Sequence, residues 1–571
     1  MRRIVRYLLI TAVMTGILWA RPVTFQGIET SLQRTLQTKL PPKNAPTIRE
    51  IYRAFGNRPL WIGNANADKM SAMIHALEDP LFNYKLKPFD RTAIKKLLYY
   101  LDNDRLPAQK RAEIYARLDV LLTNSFLRLA RFIVEGDVDW KMVQRKLAEL
   151  KEKEDIDAVW EMHPKRFRDT KGLINAIKRD NVRGYLISLI PMEKRYRSLV
   201  KLLSDYRRMD RFPKIPYSNT VLKKGDYSPR VKAIKKRLQI TGDYPADADI
   251  DNRFDEALRQ AVLRYQKRHL LEPTGTVDKT VTWYLNRPLK EKIKQIIVNL
   301  DKTKLYPKHF ENEYVEVNVP DFALRYYLDG KMVFKTGVVV GRIDRPTPIF
   351  DDYIEYIVLN PTWTITDNLV KRDLIPVLRE NPDYLEEHNI HVFRGNREVH
   401  VTPEELAKYE HSDKPVPYRF VQFPGDDNAL GRIKFMFPNK YSVYLHDTDN
   451  KALLTRRYKV YSSGCIRVDK PFELADFVLR HAKKRYTYEE IQEILSTDKP
   501  TTIRLKRPIP IHILYFTVYV ENGTAYFKYD IYMYDKIIEE STAGHKKETF
   551  EIPKNRLITV KKKAPQALPQ R

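Results

Sequence analysis

The single cysteine of the chain, Cys465, lies in a sequence that suits a reactive thiol. With no second cysteine to pair with it, any chemistry at this position uses the thiol or the thiolate. Residues 462–464 read Ser-Ser-Gly, which is typical of a tight turn that presents a side chain or backbone N–H groups. The alternative interpretation is an inert buried residue, a common role of a free cysteine.

A candidate base for this thiol, His446, ends the segment 441–446, which reads Tyr-Ser-Val-Tyr-Leu-His. The alternation predicts a strand with Val443 and Leu445 on one face and Tyr444 and His446 on the other. A thiol with a pKa of about 8.5 is only a few per cent thiolate at neutral pH, so an imidazole that takes its proton creates a nucleophile. The chain has 12 histidines, so spacing alone does not single out His446.

Length and composition predict three or four domains, because 571 residues with 43% hydrophobic side chains exceed one ordinary core. The formal charge of +29 raises nucleic-acid binding as a function. However, the 102 Lys and Arg residues are spread along the sequence, which has no zinc-finger, basic-zipper or RNA-binding signature. A solvated basic surface that tolerates an anionic cell envelope is the favoured interpretation.

Residues 1–20 predict an export signal. Three arginines precede an uncharged, mostly apolar stretch from Tyr7 to Ala20, which is shorter than the ~20 residues that a membrane-spanning helix needs. Leu18 is larger than a cleavage site prefers, so an uncleaved N-terminal anchor is the alternative. An exported protein that keeps one unpaired cysteine favours a reactive role for Cys465.

The fold class predicted is multidomain α+β. Residues 21–46 are polar and contain several prolines, which predicts a linker. Residues 47–212 carry apolar side chains at helical spacing and predict an α-helical domain. Residues 218–290 predict three short helices, with the turns Gly225-Asp226 and Gly275 to Asp278 resembling those of the peptidoglycan-binding module; a generic helical bundle is the alternative.

From about residue 311 the apolar pattern changes to strand alternation, which predicts a mostly β domain over residues 311–500. Residues 367–415 interrupt it with helical, charged sequence and predict an inserted helical capping subdomain, either a lid over the site or a decorative excursion. Residues 501–551 alternate again and predict a C-terminal β extension, followed by a basic, disordered tail over residues 552–571.

Four motifs occur in order around the cysteine: Asn-Ala-Leu-Gly at 428–431, Lys-Phe-Met-Phe-Pro-Asn at 434–439, Tyr-Leu-His-Asp-Thr at 444–448 and Ser-Ser-Gly-Cys-Ile-Arg-Val at 462–468. Together they resemble an L,D-transpeptidase catalytic domain of the YkuD type, and the domain order resembles the large YcbB-like subclass of Gram-negative bacteria. The segments 52–61, 360–363 and 508–512 also resemble that subclass. Residues 364–366 and 419–422 depart from its usual sequence, outside the nucleophile motif.

The resemblance implies that Cys465 is the nucleophile and His446 the general base of a peptidoglycan cross-linking enzyme. A tetrapeptide stem would acylate the thiol as a thioester with release of D-alanine, and an amine of a second stem would resolve it as a 3-3 cross-link. In this family a backbone carbonyl, not the adjacent Asp447, usually orients the base. The resemblance implies no metal and no cofactor.

Supporting roles are assigned to residues beside this pair. Backbone N–H groups around Gly464 and Cys465, with those near Tyr444, are candidate oxyanion donors. The fork-shaped guanidinium of Arg467 suits a stem carboxylate, with a structural salt bridge as the alternative. The remaining side chains of the turn, Ser462 and Ser463, either hydrogen-bond the imidazole or cap the turn.

The expected partners are peptidoglycan stem peptides and glycan, with envelope-associated proteins as further candidates, and the resemblance implies a periplasmic carbapenem target. No nucleic-acid partner is expected. An L,D-carboxypeptidase, in which water resolves the thioester, is one alternative function. A non-catalytic wall-binding protein that uses residues 218–290 is another.

Overall fold

The computed structural model describes residues 23–63, 66–101, 106–209 and 214–542. The predicted export signal over residues 1–20 and the basic tail over residues 552–571 lie outside these ranges. Within them, no helix is long and apolar enough to cross a membrane.

An α-helical body occupies the described residues between 23 and 209, as predicted for most of this range. Its helices are Phe25–Thr38, Ala45–Arg53, Ala67–Glu78, Arg91–Leu101, Ala108–Glu135, Trp140–Glu154, Thr170–Lys178, Val182–Ser188 and Glu193–Arg208. The long helix Ala108–Glu135 is buried on most sides and ends at Gly136, whose φ of 72° favours glycine. Its Asp119 accepts hydrogen bonds from Tyr52 Oη (2.6 Å) and Trp61 N (2.8 Å), which fixes the preceding loop.

The prediction of a linker over residues 21–46 is wrong for Phe25–Thr38, which form a helix of the body. Thr24 caps its N-terminus by accepting from Gly27 N (3.2 Å). Ile28, Leu32 and Leu36 recur every four residues and are buried in the core of the body. The prolines that suggested a linker lie beyond the ends of this helix, so they do not interrupt it.

The predicted three-helix module is present as Pro229–Ile240, Glu256–Arg268 and Lys279–Leu285, and it has its own apolar core. Each helix begins at a side-chain cap; for example, Asp278 Oδ1 accepts from Val281 N at 2.7 Å. The helix Leu289–Lys302 follows and leads to the β domain.

Nine strands form the main sheet: β1 (Glu313–Asn318), β2 (Ala323–Leu328), β3 (Lys331–Gly341), β4 (Asp351–Leu359), β9 (Ile433–Met436), β10 (Leu445–His446), β11 (Val460–Ser462), β12 (Ile466–Val468) and β13 (Thr501–Leu514). Their order is β11-β3-β12-β10-β9-β4-β13-β1-β2, and β2 also pairs with β3. That extra pairing closes eight of the strands into a barrel. The helices Ala452–Thr455, Pro471–Val478 and Tyr488–Ser496 lie in its connections.

The predicted boundary at residue 500 is wrong, because β13 belongs inside the barrel. It pairs antiparallel with β4 and parallel with β1, so it closes the sheet between two strands from the start of the domain. Alternation within residues 501–514 predicts a strand but not its partners. The rest of the predicted extension within the described residues is the hairpin β14 (Val518–Glu521) and β15 (Thr524–Phe527), with the helix Tyr534–Glu540.

The insertion is more than the helical subdomain predicted for residues 367–415. It contains the helical segments Asp367–Leu369, Val370–Leu374, Ile375–Glu380, Tyr384–Glu387 and Pro403–Ala407, of which Val370–Leu374 is a π-helical turn. It also contains a second sheet of β5 (Trp363–Thr364), β6 (Ile390–Arg394), β7 (Arg397–Glu398) and β8 (Arg419–Gln422), in the order β5-β8-β6-β7. The charged sequence of this segment does not indicate these short strands. The inserted unit has an apolar core of its own.

Candidate active site

The parallel strands β10 and β12 bring the predicted nucleophile and base to one face of the sheet. Their register pairs Leu445 with Ile466 and His446 with Arg467. Leu445 and Ile466 are fully buried in the barrel core, so side-chain alternation turns His446 and Arg467 to the opposite face. Cys465 precedes Ile466 and therefore shares the face of His446, as does Tyr444. The alternation predicted for residues 441–446 is confirmed here, although only Leu445–His446 form a strand.

A row of three basic side chains crosses three strands at this level. On β9, Lys434 pairs with His446, which in turn pairs with Arg467 on β12. The imidazole therefore lies between two cationic side chains on adjacent strands, which are spaced about 4.8 Å apart. Neither cation has a carboxylate within ion-pair distance in the described part of the chain. This row is the main electrostatic feature of the site.

His446 is buried, with only 4% of its surface exposed. Burial, together with the positive charges of Arg467 and Lys434, lowers the pKa of its imidazole to about 3. The Nδ1 of His446 makes no hydrogen bond within the described residues. The nearby backbone of Asp447 favours the protonated imidazole and so opposes part of the fall in pKa. The imidazole is therefore neutral at physiological pH and can accept a proton.

Cys465 is partly exposed, and its Sγ lies 3.6 Å from the carbonyl oxygen of Ser442. Burial raises the pKa of the thiol, while interactions with Tyr444, Arg467 and Lys434 oppose that rise. The free protein therefore holds a neutral thiol and a neutral imidazole on the same face of the sheet. Such a pair becomes reactive when the imidazole takes the thiol proton during attack.

The turn before the cysteine is held by its own side chains. Ser462 Oγ donates to the carbonyl oxygen of Cys465 (2.5 Å) and accepts from Gly464 N (3.2 Å). Gly464 has a φ of +119°, which a side-chain-bearing residue rarely adopts. Of the two roles considered for Ser462, the structure therefore supports capping the turn. The Gly464 N–H already donates to Ser462 Oγ, whereas the Cys465 N–H has no acceptor among the described residues. The Cys465 N–H is therefore the better oxyanion donor.

The loop between β3 and β4 donates hydrogen bonds that hold this turn in place. Thr347 Oγ1 donates to the carbonyl oxygen of Gly464 (2.9 Å), and Arg342 N donates to that of Ser462 (2.8 Å). Arg345 Nη1 donates to Ser463 Oγ (3.2 Å), and no hydrogen bond joins Ser463 to His446 within the described residues. Sequence analysis did not identify this support, because the loop and the turn lie more than a hundred positions apart and share no local pattern.

Arg467 Nη1 donates to Thr448 Oγ1 (3.4 Å), and its Nε is buried without a partner. The structural salt bridge considered for Arg467 is not observed in the described ranges. Asp447 is directed away from the imidazole: it pairs with Lys451 and accepts from Arg432 N (3.0 Å). Asp447 is therefore not a carboxylate partner of His446.

Lys434 is the site residue that sequence analysis missed. Its Nζ lies 5.6 Å from the ring centroid of Tyr444 and makes no hydrogen bond or ion pair in the described residues. A signal was available: Lys434 alternates with Ile433 and Phe435, both fully buried, so a lysine in this strand must face the other side.

Tyr444 packs against both the barrel core and the insertion core, which places the insertion beside the site.

No cluster of His, Cys, Asp and Glu side chains in the described ranges could hold a metal ion. The arrangement instead provides a thiol, a neutral base, a free backbone N–H and two cations on one face. These groups can perform nucleophilic acyl transfer, in which a thiol attacks a carbonyl carbon and the developing negative charge is stabilised.

Comparison with protein families divides the chain into three parts. Residues 312–505 match YkuD, the L,D-transpeptidase catalytic domain. Residues 46–203 match a scaffold domain, and residues 227–282 match a family described as "Putative peptidoglycan binding domain". The catalytic match contains the whole face described above.

A "Putative L,D-transpeptidase" of Haemophilus influenzae is 34% identical over 244 residues, which are 43% of this chain and 48% of that relative. This chain therefore spans about half the length of the curated relative it matches. Solved L,D-transpeptidases of Xylanimonas cellulosilytica and Stackebrandtia nassauensis align over 53% and 55% of the chain and 100% of their own. Their identities are 13% and 12%, with TM-scores of 0.17 and 0.19, which are too low to establish a common fold.

Proposed function

We propose that this chain, which carries a YkuD L,D-transpeptidase catalytic domain over residues 312–505, is a peptidoglycan L,D-transpeptidase that forms 3-3 cross-links. The observation that carries the proposal is the placement of Cys465 and His446 on one face of adjacent parallel strands, behind a glycine turn. The peptidoglycan-binding match at residues 227–282 supports the cell wall as the substrate.

The first half-reaction acylates the thiol. His446 takes the proton of Cys465 as Sγ attacks the carbonyl carbon of the L-centre of the third stem residue. The Cys465 N–H stabilises the oxyanion, with Tyr444 beside it. The bond to the terminal D-alanine then breaks, and the imidazolium returns its proton to the leaving amine. The products are a thioester on Cys465 and free D-alanine.

The second half-reaction transfers the acyl group. The side-chain amine of the third residue of another stem attacks the thioester carbon, and His446 removes a proton from that amine. The C–S bond breaks, the thiolate regains a proton from the imidazolium, and a new amide joins two third residues. The neutral state of His446 suits this step, because the base must be unprotonated when each nucleophile arrives.

The wider proposal places the enzyme outside the cytoplasm. The predicted export signal at residues 1–20 would deliver it to the periplasm, either cleaved or kept as an inner-membrane anchor. Membership of the YcbB-like subclass and acylation by carbapenems belong to the same proposal, because a β-lactam carbonyl would acylate the thiol in place of a stem. Envelope-associated proteins are proposed as further partners.

Incubation with purified tetrapeptide muropeptides tests this function. We expect dimers with 3-3 linkages by mass spectrometry, and an adduct on Cys465 whose mass equals the donor stem minus D-alanine. Cys465→Ala should form neither. Tripeptide monomers without dimers would contradict cross-linking and indicate an L,D-carboxypeptidase. No adduct and unchanged muropeptides, with retained binding to cell-wall sacculi, would indicate a wall-binding protein without activity.

A further inference from the structure

One buried ion pair joins the insertion directly to the nucleophile turn. Arg345 Nη2 donates to Asp373 Oδ1 at 2.8 Å, and Nη1 also pairs with Asp373. The same Nη1 donates to Ser463 Oγ at 3.2 Å. The guanidinium, whose side chain is only 6% exposed, therefore contacts the insertion on one side and the turn on the other. A planar guanidinium with two donor edges suits such a double contact.

Each end of this link is fixed within its own unit. Asp373 lies in the π-helical turn Val370–Leu374, and the neighbouring Leu374 is fully buried in the insertion core. π-helical turns are rare and occur often at functional sites. Ser463 lies between Ser462, which caps the turn, and Gly464, whose carbonyl is held by Thr347. A shift of the insertion core would therefore move Asp373 and, through the guanidinium, the turn.

The loop that carries Arg345 is also shaped to hold this position. A Cβ on Gly341 would lie 2.2 Å from the carbonyl oxygen of Arg345, so the strand end and the loop approach each other as closely as glycine allows. Tyr532 Oη donates to the carbonyl oxygen of Gly341 (2.7 Å), and Thr347 N donates to Tyr532 Oη (3.2 Å). Arg345 is thus held on a constrained loop.

We infer that Arg345 and Asp373 are positioning residues, which hold the Ser463-Gly464 turn in its reactive geometry only while the insertion is seated against the barrel. The inference deepens the proposed function and rests on it for the catalytic consequence. Acyl transfer depends on the direction of the Cys465 N–H and Sγ, and displacement of reacting groups by about 1 Å can cost about 100-fold in rate. The insertion would in this way control reactivity without touching the thiol.

The test compares Asp373→Asn with Arg372→Gln. Arg372 is the adjacent residue of the insertion and pairs with Asp155 (2.8 Å), so it joins the insertion to the helical body without contacting the turn. For Asp373→Asn we expect acylation by a tetrapeptide donor to fall about 10- to 100-fold in kcat with KM little changed. Backbone amides of residues 460–468 should exchange with deuterium about 10-fold faster. Arg372→Gln should stay within about 2-fold on both readouts.

Two further variants complete the experiment. Ser463→Ala cuts the other end of the link, and its effect on kcat should not add to that of Asp373→Asn in the double variant. Arg345→Met with Asp373→Leu removes both charges, so it replaces Asp373→Asn if a buried guanidinium with only Asp344 (3.7 Å) as its ionic partner prevents folding. Multiplying effects, or unchanged exchange at residues 460–468 in Asp373→Asn, would overturn the inference. The exchange readout needs no activity, so a wild-type protein that forms no acyl adduct refutes the proposed function alone.

Discussion

At the scale of residues, burial sets the proton state of the reacting pair. It raises the pKa of the Cys465 thiol because the thiolate loses solvation. Together with the positive charges of Arg467 and Lys434, it lowers the pKa of the His446 imidazole to about 3. Both effects favour neutral groups in the free protein. The pair therefore differs from a thiolate–imidazolium ion pair, in which the proton has moved before the substrate binds.

This proton state predicts the pH dependence of thiol reactivity. Only the thiolate is alkylated, and its pKa is raised, so alkylation of Cys465 by iodoacetamide should keep rising with pH through about 8.5, the ordinary pKa of a cysteine. The measurement is the rate of mass gain from pH 5 to 10. A plateau between pH 5 and 7 would show that a thiolate–imidazolium pair exists at rest.

Substitution of Lys434 should slow the same reaction. The Lys434 ammonium, together with Tyr444 and Arg467, stabilises the Cys465 thiolate. Lys434→Met should therefore raise the pKa of the thiol further and slow alkylation at pH 8 by about 3- to 10-fold. Lys440→Met is the matched control, since Lys440 is largely exposed and pairs with Glu161 (2.8 Å). Equal rates for both variants would show that Lys434 does not act on the thiol.

Gly464→Ala tests the backbone of the turn. No atom lies within 4 Å of an added Cβ, so the cost is the strain of a φ of +119° and not a clash. We expect a loss of about 1–3 kcal/mol in unfolding free energy and a fall in acylation rate, because relief of the strain redirects the Cys465 N–H. Thermal unfolding and adduct formation measure the two effects. Wild-type acylation in this variant would contradict the assigned oxyanion geometry.

At the scale of elements, β13 decides whether the barrel closes. Ile509, Ile511 and Ile513 are buried in the barrel core, and residues 511–514 pair with β1. The YkuD match ends at residue 505, before this half of the strand. The functional domain therefore extends to at least residue 514.

A chain that ends at residue 505 should consequently fail to form a stable barrel, since it leaves β1 paired with β2 alone, opens the sheet between β4 and β1, and exposes the facing core. We expect loss of the cooperative thermal transition of the β domain, or insoluble protein, whereas a chain that ends at residue 542 should retain that transition. Calorimetry of the two chains makes the comparison. A folded and stable shorter chain would show that the second half of β13 is dispensable.

At the scale of the whole molecule, the hairpin β14–β15 joins the helical body to the three-helix module. Phe527 is 2% exposed, and its ring lies 5.4 Å from Tyr206 of the helical body and 5.6 Å from His269 of the three-helix module. Lys292 Nζ lies 4.3 Å from the same ring. In the module, Arg268 pairs with Asp243 and reaches the carbonyl oxygen of Ala525 (3.4 Å). The hairpin thus positions the module relative to the helical body.

Phe527→Ala should therefore loosen this junction and cost about 3–5 kcal/mol, the usual range for a buried phenylalanine. We expect a lower unfolding temperature and faster hydrogen exchange in the helix Glu256–Arg268, with thiol alkylation unchanged. Phe25→Ala is the control, because Phe25 is 48% exposed. Equal stability of the two variants would show that Phe527 does not hold the units together.

Local patterns were sufficient for part of this molecule. Two-residue alternation around His446, the Ser-Ser-Gly turn and the capped helices of the module were all readable, because each depends on neighbours within a few positions. The spacing of Ile28, Leu32 and Leu36 also indicates the helix Phe25–Thr38, whereas the prolines that flank this segment favoured a linker. The sheet of the insertion was missed, since its strands are short and their partners are distant.

The sequence by itself determined which reactive groups are available: one thiol after a Ser-Ser-Gly turn, and a histidine on the polar face of a predicted strand. Only the tertiary structure decided that β13 closes the barrel, that burial keeps His446 neutral, and that Arg345 joins Asp373 to the turn before Cys465. The physical reason is the separation along the sequence between the residues that interact. Alternation and turns follow from adjacent residues, whereas strand partners, solvation and ion pairs depend on segments that meet only in the folded chain.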